Sequence, residues 1–213
     1  MARTRGMGAG TTSRRGRNRK RMRRFILTGA PGAGKTAILR QLEIEGFSVV
    51  EEAATDVIAA SHAMGTEEPW KEPTFLDAVA SLQRDRQLRA ACQKDEIQFH
   101  DRCVVCTAAL AAYLGFPTSP FLASEIERVK RESIFETHVF FIRNLGFITP
   151  SEARRISFEE TLRFEKIHEE TYREFGFKLM WVEAASVAER ARFVRASVER
   201  LTAGGDDALP PLR

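Results

Sequence analysis

The stretch RRFILTGAPGAGKTAILRQ, residues 23–41, decides the fold. A short apolar strand runs straight into Gly29-Ala30-Pro31-Gly32-Ala33-Gly34-Lys35-Thr36, which fits GxxxxGK[ST], and a helical pattern follows from about Lys35 to Glu45, closed by Gly46. That order has a mechanical reason. The glycines admit backbone conformations that turn successive N–H groups toward phosphate oxygens. The helix adds the positive end of its dipole. Lys35 is placed to reach the β- and γ-phosphates, and the Thr36 hydroxyl to bind Mg²⁺. These eight residues are the expected nucleotide site, with ATP and Mg²⁺ as its expected ligands.

Outward from this loop, strands alternate with helices. Strands are expected at 24–29, 47–51, 96–101, 137–142 and 177–184. Between the second and third, apolar residues recur at three- and four-residue steps from Glu72 to about Lys94, an amphipathic helix. RCVVCTAALAAYLG reads as a largely apolar helix closed by Gly115, and Ser119-Pro120 as the capped start of another. Ser186 with Glu189 forms a capping box for a final helix of about 187–201. Strand–helix alternation implies a parallel sheet covered on both faces: an α/β, three-layer P-loop sandwich with five parallel strands. Two further capping boxes, Thr149–Glu152 and Ser157–Glu160, bracket Arg154 and Arg155 between the fourth and fifth strands, so a helical lid is expected over about 145–175.

Charge is unevenly spread. The chain has 213 residues and a net charge of +4, yet residues 1–24 hold ten Arg or Lys and no acid. Residues 25–213 carry 23 basic and 29 acidic side chains, a net −6. An acidic body argues against a broad nucleic-acid surface. The expected organisation is a basic, disordered tail at 1–22, one domain at 23–201 and a second disordered tail at 202–213. Contact with nucleic acid or an anionic surface is assigned to the first tail alone. No run reaches the length of a membrane span, and the three cysteines suggest a reducing compartment, the cytoplasm. Cys103 and Cys106 form a CxxC without the second pair that zinc needs. They read as small buried helix residues, with a redox role as the alternative.

The choice of chemistry falls to residues outside the loop. His100-Asp101-Arg102 closes the third strand, where Asp101 can hold the metal's water shell or accept a hydroxyl proton. Motor ATPases usually follow such an Asp with Glu; here Arg follows, and no guanine-recognition signature is present. Glu51 and Glu52 end the second strand at the ligand-binding edge, and Glu52 is the candidate to orient or deprotonate an acceptor hydroxyl. Arg154 and Arg155 suit a lid closing on the phosphoryl group in transfer, with Arg143 as a third candidate. His168 reads as a packing histidine. Trp70 reads as an anchor or as a platform for a planar substrate.

GAPGAGKT, VVEEAA, FHDR and ARRISFEETLRFEKIHEETYREFGF together resemble a group of small bacterial P-loop proteins described as AAA-type ATPase/kinase-like, similar in layout to nicotinamide riboside kinases and to nucleoside and nucleotide kinases. The resemblance spans about residues 23–201. It implies a nucleoside-kinase-like fold in which Glu52 contacts the acceptor hydroxyl, Asp101 is the strand-three acid and Arg154 and Arg155 are the lid arginines. One departure stands out: Ala53-Ala54-Thr55-Asp56 lacks an arginine that relatives often carry there. The expected activity is transfer of the ATP γ-phosphoryl group to a small-molecule acceptor, catalysed by Lys35, Asp101, Glu52, Arg154 and Arg155. The alternatives are a nucleotide-dependent switch acting on a partner and a polynucleotide end kinase.

Overall fold

The computed structural model describes residues 21–93, 95–145 and 157–205. Five strands, β1 (Arg23–Thr28), β2 (Ser48–Val50), β3 (Ile97–Asp101), β4 (His138–Ile142) and β5 (Lys178–Val182), form one sheet in the order β2-β3-β1-β4-β5. Every pairing is parallel. The helices are α1 (Lys35–Ile44), α2 (Ala54–Ala63), α3 (Thr74–Ala90), α4 (Val104–Leu114), α5 (Pro120–Arg131), α6 (Phe158–Glu174) and α7 (Val187–Thr202). The expected α/β sandwich and its five parallel strands are present. Arg154, Arg155 and the Thr149–Glu152 box lie outside the described residues, as do 1–20 and 206–213.

Parallel strands covered on both faces read as continuous apolar runs, and β1 shows why. Phe25 and Leu27 turn into the cluster shared with Phe99, Phe140, Met180 and the inner faces of α1 and α7. Ile26 turns the other way, toward Val105, Val139 and Tyr172 under α4 and α6. Each fully buried Phe or Leu contributes about 1.5–3 kcal/mol before chain entropy is set against it. α3 and α5 extend this second layer through Ala80, Leu122 and Ile126, which cluster with Val104 of α4. Trp70 is packed against the Phe75, Leu76 and Val79 cluster, the place of an anchor.

Helix starts follow their local chemistry. Ser119, Ser157 and Ser186 each accept an N–H of the following helix, and the last two complete capping boxes with Glu160 and Glu189. α1 differs: its N-cap is Gly34, which has no side chain to offer. α6 packs into the layer beneath the sheet, with Phe164, His168 and Tyr172 buried, so that part of the expected lid is a core element. The buried Glu165 ties α6 to the chain leaving β4, accepting from Arg143 Nη1 and from Asn144 Nδ2, both at 3.0 Å.

Gly29 has φ +131°, and a Cβ there would stand 2.3 Å from the Ile142 carbonyl oxygen at the end of β4. No rotamer relieves a Cβ–backbone overlap. Gly29→Ala is therefore expected to cost about 3 kcal/mol or more, read as a lower midpoint in denaturant unfolding. A midpoint within error of the wild type would refute this packing of β1 against β4.

Candidate functional site

The site forms where β1, β3 and β2 reach their carboxyl ends. Residues 29–34 turn out of β1 through three positive-φ glycines, Gly29, Gly32 and Gly34, into α1. Ala30 and Ala33 are buried under the loop, and Ala33 N–H donates to the Ala30 carbonyl at 3.3 Å. Because Gly34 gives no side-chain cap, the first N–H groups of α1 are left to serve an anion. Thr36 sits exposed in the first turn.

Lys35 is buried, and its Nζ donates to the Gly29 and Ala30 carbonyls at 3.0 and 2.8 Å. Burial, reinforced by the charge of Arg102, draws its pKa down to about 7, against a partial upward pull from Asp101, Cys106 and Glu52. Those causes also place the other groups. Asp101 ends β3, nearly fully buried, opposite Leu27 in register. Lys35, Asp101, Arg102 and Glu52 therefore share one electrostatic neighbourhood, although they come from three separate loops.

Arg102 is the residue that sequence reasoning left out of the site. It has φ +69°, a left-handed conformation uncommon for a residue with a side chain. Its N–H donates to the Leu27 carbonyl at 3.0 Å, so the strained residue is locked across the end of β1. Its Nη1 donates to His168 Nε2 at 3.3 Å, while His168 Nδ1–H donates to the Phe164 carbonyl at 3.0 Å. That assignment makes His168 neutral, in keeping with the strong downward push of burial and of Arg102 on its pKa. Burial works against the Arg102 charge, but Cys106, Glu52 and Asp101 hold the guanidinium protonated. The signal available in the sequence was the Asp-Arg pair itself. The turn that aims the arginine depends on β1 lying beside β3.

Glu52 has a double role. Its Oε1 accepts from Ala54 N–H at 2.7 Å, and its Oε2 accepts from the Thr55 N–H and hydroxyl at 2.8 and 2.7 Å, which caps α2. Burial raises its pKa, but Arg102 and these hydrogen bonds outweigh it and hold the carboxyl below its usual value. A carboxylate so occupied is a poor proton acceptor and a good fixed negative charge. Glu51 points elsewhere and pairs with Arg40. Arg86 of α3 donates to the Glu52 carbonyl and pairs with Asp56, so an arginine does serve this helix start, but it comes from α3.

Three other residues have settled places. His100 is buried, bonded to Gln98 Oε1 at 2.9 Å, and pushed down to about 3 by burial and Arg24, so it stays neutral. Cys103 and Cys106 are free, buried thiols within 3.4 and 3.0 Å of the Tyr172 hydroxyl. Burial pushes the Cys103 thiol up to about 12, which suits a packing role. Among the described residues no cluster of three or more His, Cys, Asp or Glu could cage a metal. Thr36 and Asp101 are hard oxygen donors of the kind Mg²⁺ accepts beside phosphates and water.

A family model described as an AAA domain matches residues 24–190. A search of curated proteins finds no match. Among solved structures the chain is similar to a deoxyadenosine kinase from M. mycoides with products dCMP and a flexible dCDP bound, at 15% identity and TM-score 0.59, covering 83% of this chain and 98% of that one. The same kinase with bound dATP gives 13% identity and TM-score 0.52, covering 83% of this chain and 99% of that one. A NadR protein in complex with NR gives 18% identity and TM-score 0.62, over 89% of this chain and 53% of that one. At these identities the likenesses establish the fold, a nucleoside-kinase-like P-loop sandwich. No helix among the described residues is long and apolar enough to cross a membrane.

The buried lysine makes stability depend on pH. Its ordinary pKa of 10.5 falls to about 7 in the folded chain. The folded state then binds fewer protons than the unfolded state between those values, so stability rises with pH through that window. Without nucleotide, the wild type is expected to gain roughly 2 kcal/mol relative to Lys35→Met between pH 7 and 9, read by urea unfolding at each pH. A difference that does not change with pH would refute the depressed lysine.

Proposed function

The chain belongs to the AAA domain family, and from that premise we propose that it is an ATP-dependent phosphotransferase, moving the γ-phosphoryl group of ATP to a hydroxyl of a small, nucleoside-like acceptor. The observation that carries this reading is the convergence of Lys35, Arg102, Asp101 and Glu52 at the mouth of the phosphate loop. A buried lysine and a half-buried arginine share this neighbourhood with two acids, where charge–charge interactions are stronger than in water. The fold likeness to a deoxyadenosine kinase and to NadR supports an acceptor of nucleoside type.

In this reading the loop, Gly29 to Thr36, holds the phosphates through its N–H groups, and Lys35 swings from the Gly29 and Ala30 carbonyls onto phosphate oxygens. Arg102 faces the equatorial oxygens, where negative charge spreads in the transition state. Asp101 receives the proton of the attacking hydroxyl, and Glu52 orients that hydroxyl and the Arg102 guanidinium. Mg²⁺, held through Thr36 and Asp101, would neutralise charge on the phosphate oxygens. Arg154 and Arg155 belong to the lid expected over about 145–175, and the loop after β5 faces the base. The domain is taken as 23–201, working in the cytoplasm, with the tails 1–22 and 202–213 outside it and any nucleic-acid or anionic-surface contact made by the first.

Incubation with γ-labelled ATP and a panel of nucleosides, nucleotides and cell metabolites is expected to yield a labelled acceptor. Lys35→Met abolishes that product, and Asp101→Asn lowers kcat by about 10²–10⁴. If label appears only as free phosphate across the panel, the transferase reading is wrong.

A further inference from the structure

Arg190, the fourth residue of α7, is 1% exposed and ranks among the largest fully buried side chains. A guanidinium removed from water needs a compensating negative charge. At two other places the fold supplies one: Glu125 sits between Arg84 and Arg128, and Glu165 pairs with Arg143. Arg190 has no carboxylate partner among the described residues. Its Nη2 donates to the Arg143 carbonyl at 3.0 Å, its Nε is buried without an acceptor, and burial alone lowers its pKa.

Its position accounts for this imbalance. Arg190 Nη1 lies 3.1 Å from where a Cβ on Gly34 would stand. Gly34 is the N-cap of α1 and precedes Lys35, so the guanidinium rests against the turn whose N–H groups are left for an anion. The other end of the fork holds the chain as it leaves β4 at Arg143, where Glu165 ties it to α6.

We propose that Arg190 is the buried counter-cation of the nucleotide site: the described residues leave its charge unbalanced, the polyphosphate of the bound nucleotide balances it, and its grip on the Arg143 carbonyl fixes the exit of β4 against the phosphate loop. This rests on the nucleotide-binding part of the function proposed above, though not on phosphoryl transfer. Arg190 acts through the loop and through its field, as a positioning residue. It follows that nucleotide relieves a cost built into the free protein, and that the benefit grows with the charge of the ligand.

The test uses the full chain and its Arg190→Met and Arg190→Lys variants, with calorimetric titration of Mg-ATP and of AMP and thermal melts without ligand. Arg190→Met is expected to weaken ATP binding about tenfold or more and AMP binding less than about threefold, a differential that marks a charge effect. The melting temperature of the free Met variant is expected to hold or rise, because an uncompensated charge has gone. Arg190→Lys keeps the charge and is expected to keep the wild-type ratio of ATP to AMP affinity. Unchanged ATP binding in the Met variant overturns the proposal, as does a fall in melting temperature with equal losses for both ligands, the signature of mere packing. If the Met variant does not fold, the Lys variant decides: a preserved ratio supports the proposal and a collapsed ratio overturns it. A wild type that binds no nucleotide overturns this inference together with the proposed function. A wild type that binds ATP with the stated Arg190 dependence but transfers no phosphoryl group supports this inference while the transferase reading fails.

Discussion

The contact between Gly29 and the Ile142 carbonyl governs the geometry of everything around it. β1 and β4 pair in parallel with Thr28 opposite Phe141, so their carboxyl ends stop side by side. The chain leaving β1 then meets backbone where any side chain would collide. Only a glycine at positive φ can make that exit. The direction it takes brings Gly32 and Gly34 through two further positive-φ turns and starts α1 with its free N–H groups at the sheet's edge. Lys35 then folds back onto the carbonyls of the residues that made the turn.

On this frame the site is a concentration of cations within an acidic body. Residues 25–213 carry net −6, yet Lys35, Arg102 and Arg190 cluster about one loop, with Lys35 and Arg190 buried and Arg102 half-buried. The protein tolerates them unequally. Lys35 can shed its proton, since an amine yields to burial near neutral pH. The two arginines cannot. Arg102 is offset by Glu52, Asp101 and Cys106, whereas Arg190 has a single carbonyl acceptor among the described residues. A left-handed backbone at Arg102, a glycine N-cap at Gly34 and, among the described residues, a carbonyl-only partner for Arg190 meet about one loop, which suits a site that a ligand completes.

The phosphate loop, the five strands and the Ser-capped helix starts were legible because each depends on residues close in sequence. Ser157 and Glu160, or Ser186 and Glu189, must satisfy each other whatever lies beyond. Glu52 was legible as a candidate to orient or deprotonate a hydroxyl, but its three hydrogen bonds to Ala54 and Thr55, invisible in the sequence, favour a fixed charge over a base. Arg86 and Arg190 were not legible: one reaches Glu52 from α3 and the other Gly34 from α7, across separations that no local pattern encodes. His168 read as a packing residue and is one, yet its free lone pair also steadies Arg102.

By itself the sequence determined that this chain builds a parallel α/β sheet with a phosphate loop after its first strand. Apolar runs, glycine spacing and helix caps act over a few residues and leave little choice. Tertiary structure alone decided which charges meet. The strand order β2-β3-β1-β4-β5 puts the ends of β3 and β2 beside the loop on one side and the end of β4 with α7 on the other. Electrostatic energy depends on distance and burial, and both are set only when the sheet has assembled. Only then do Lys35, Glu52 and Arg102 come to share one electrostatic neighbourhood, with Arg190 against Gly34 on the other side of the loop.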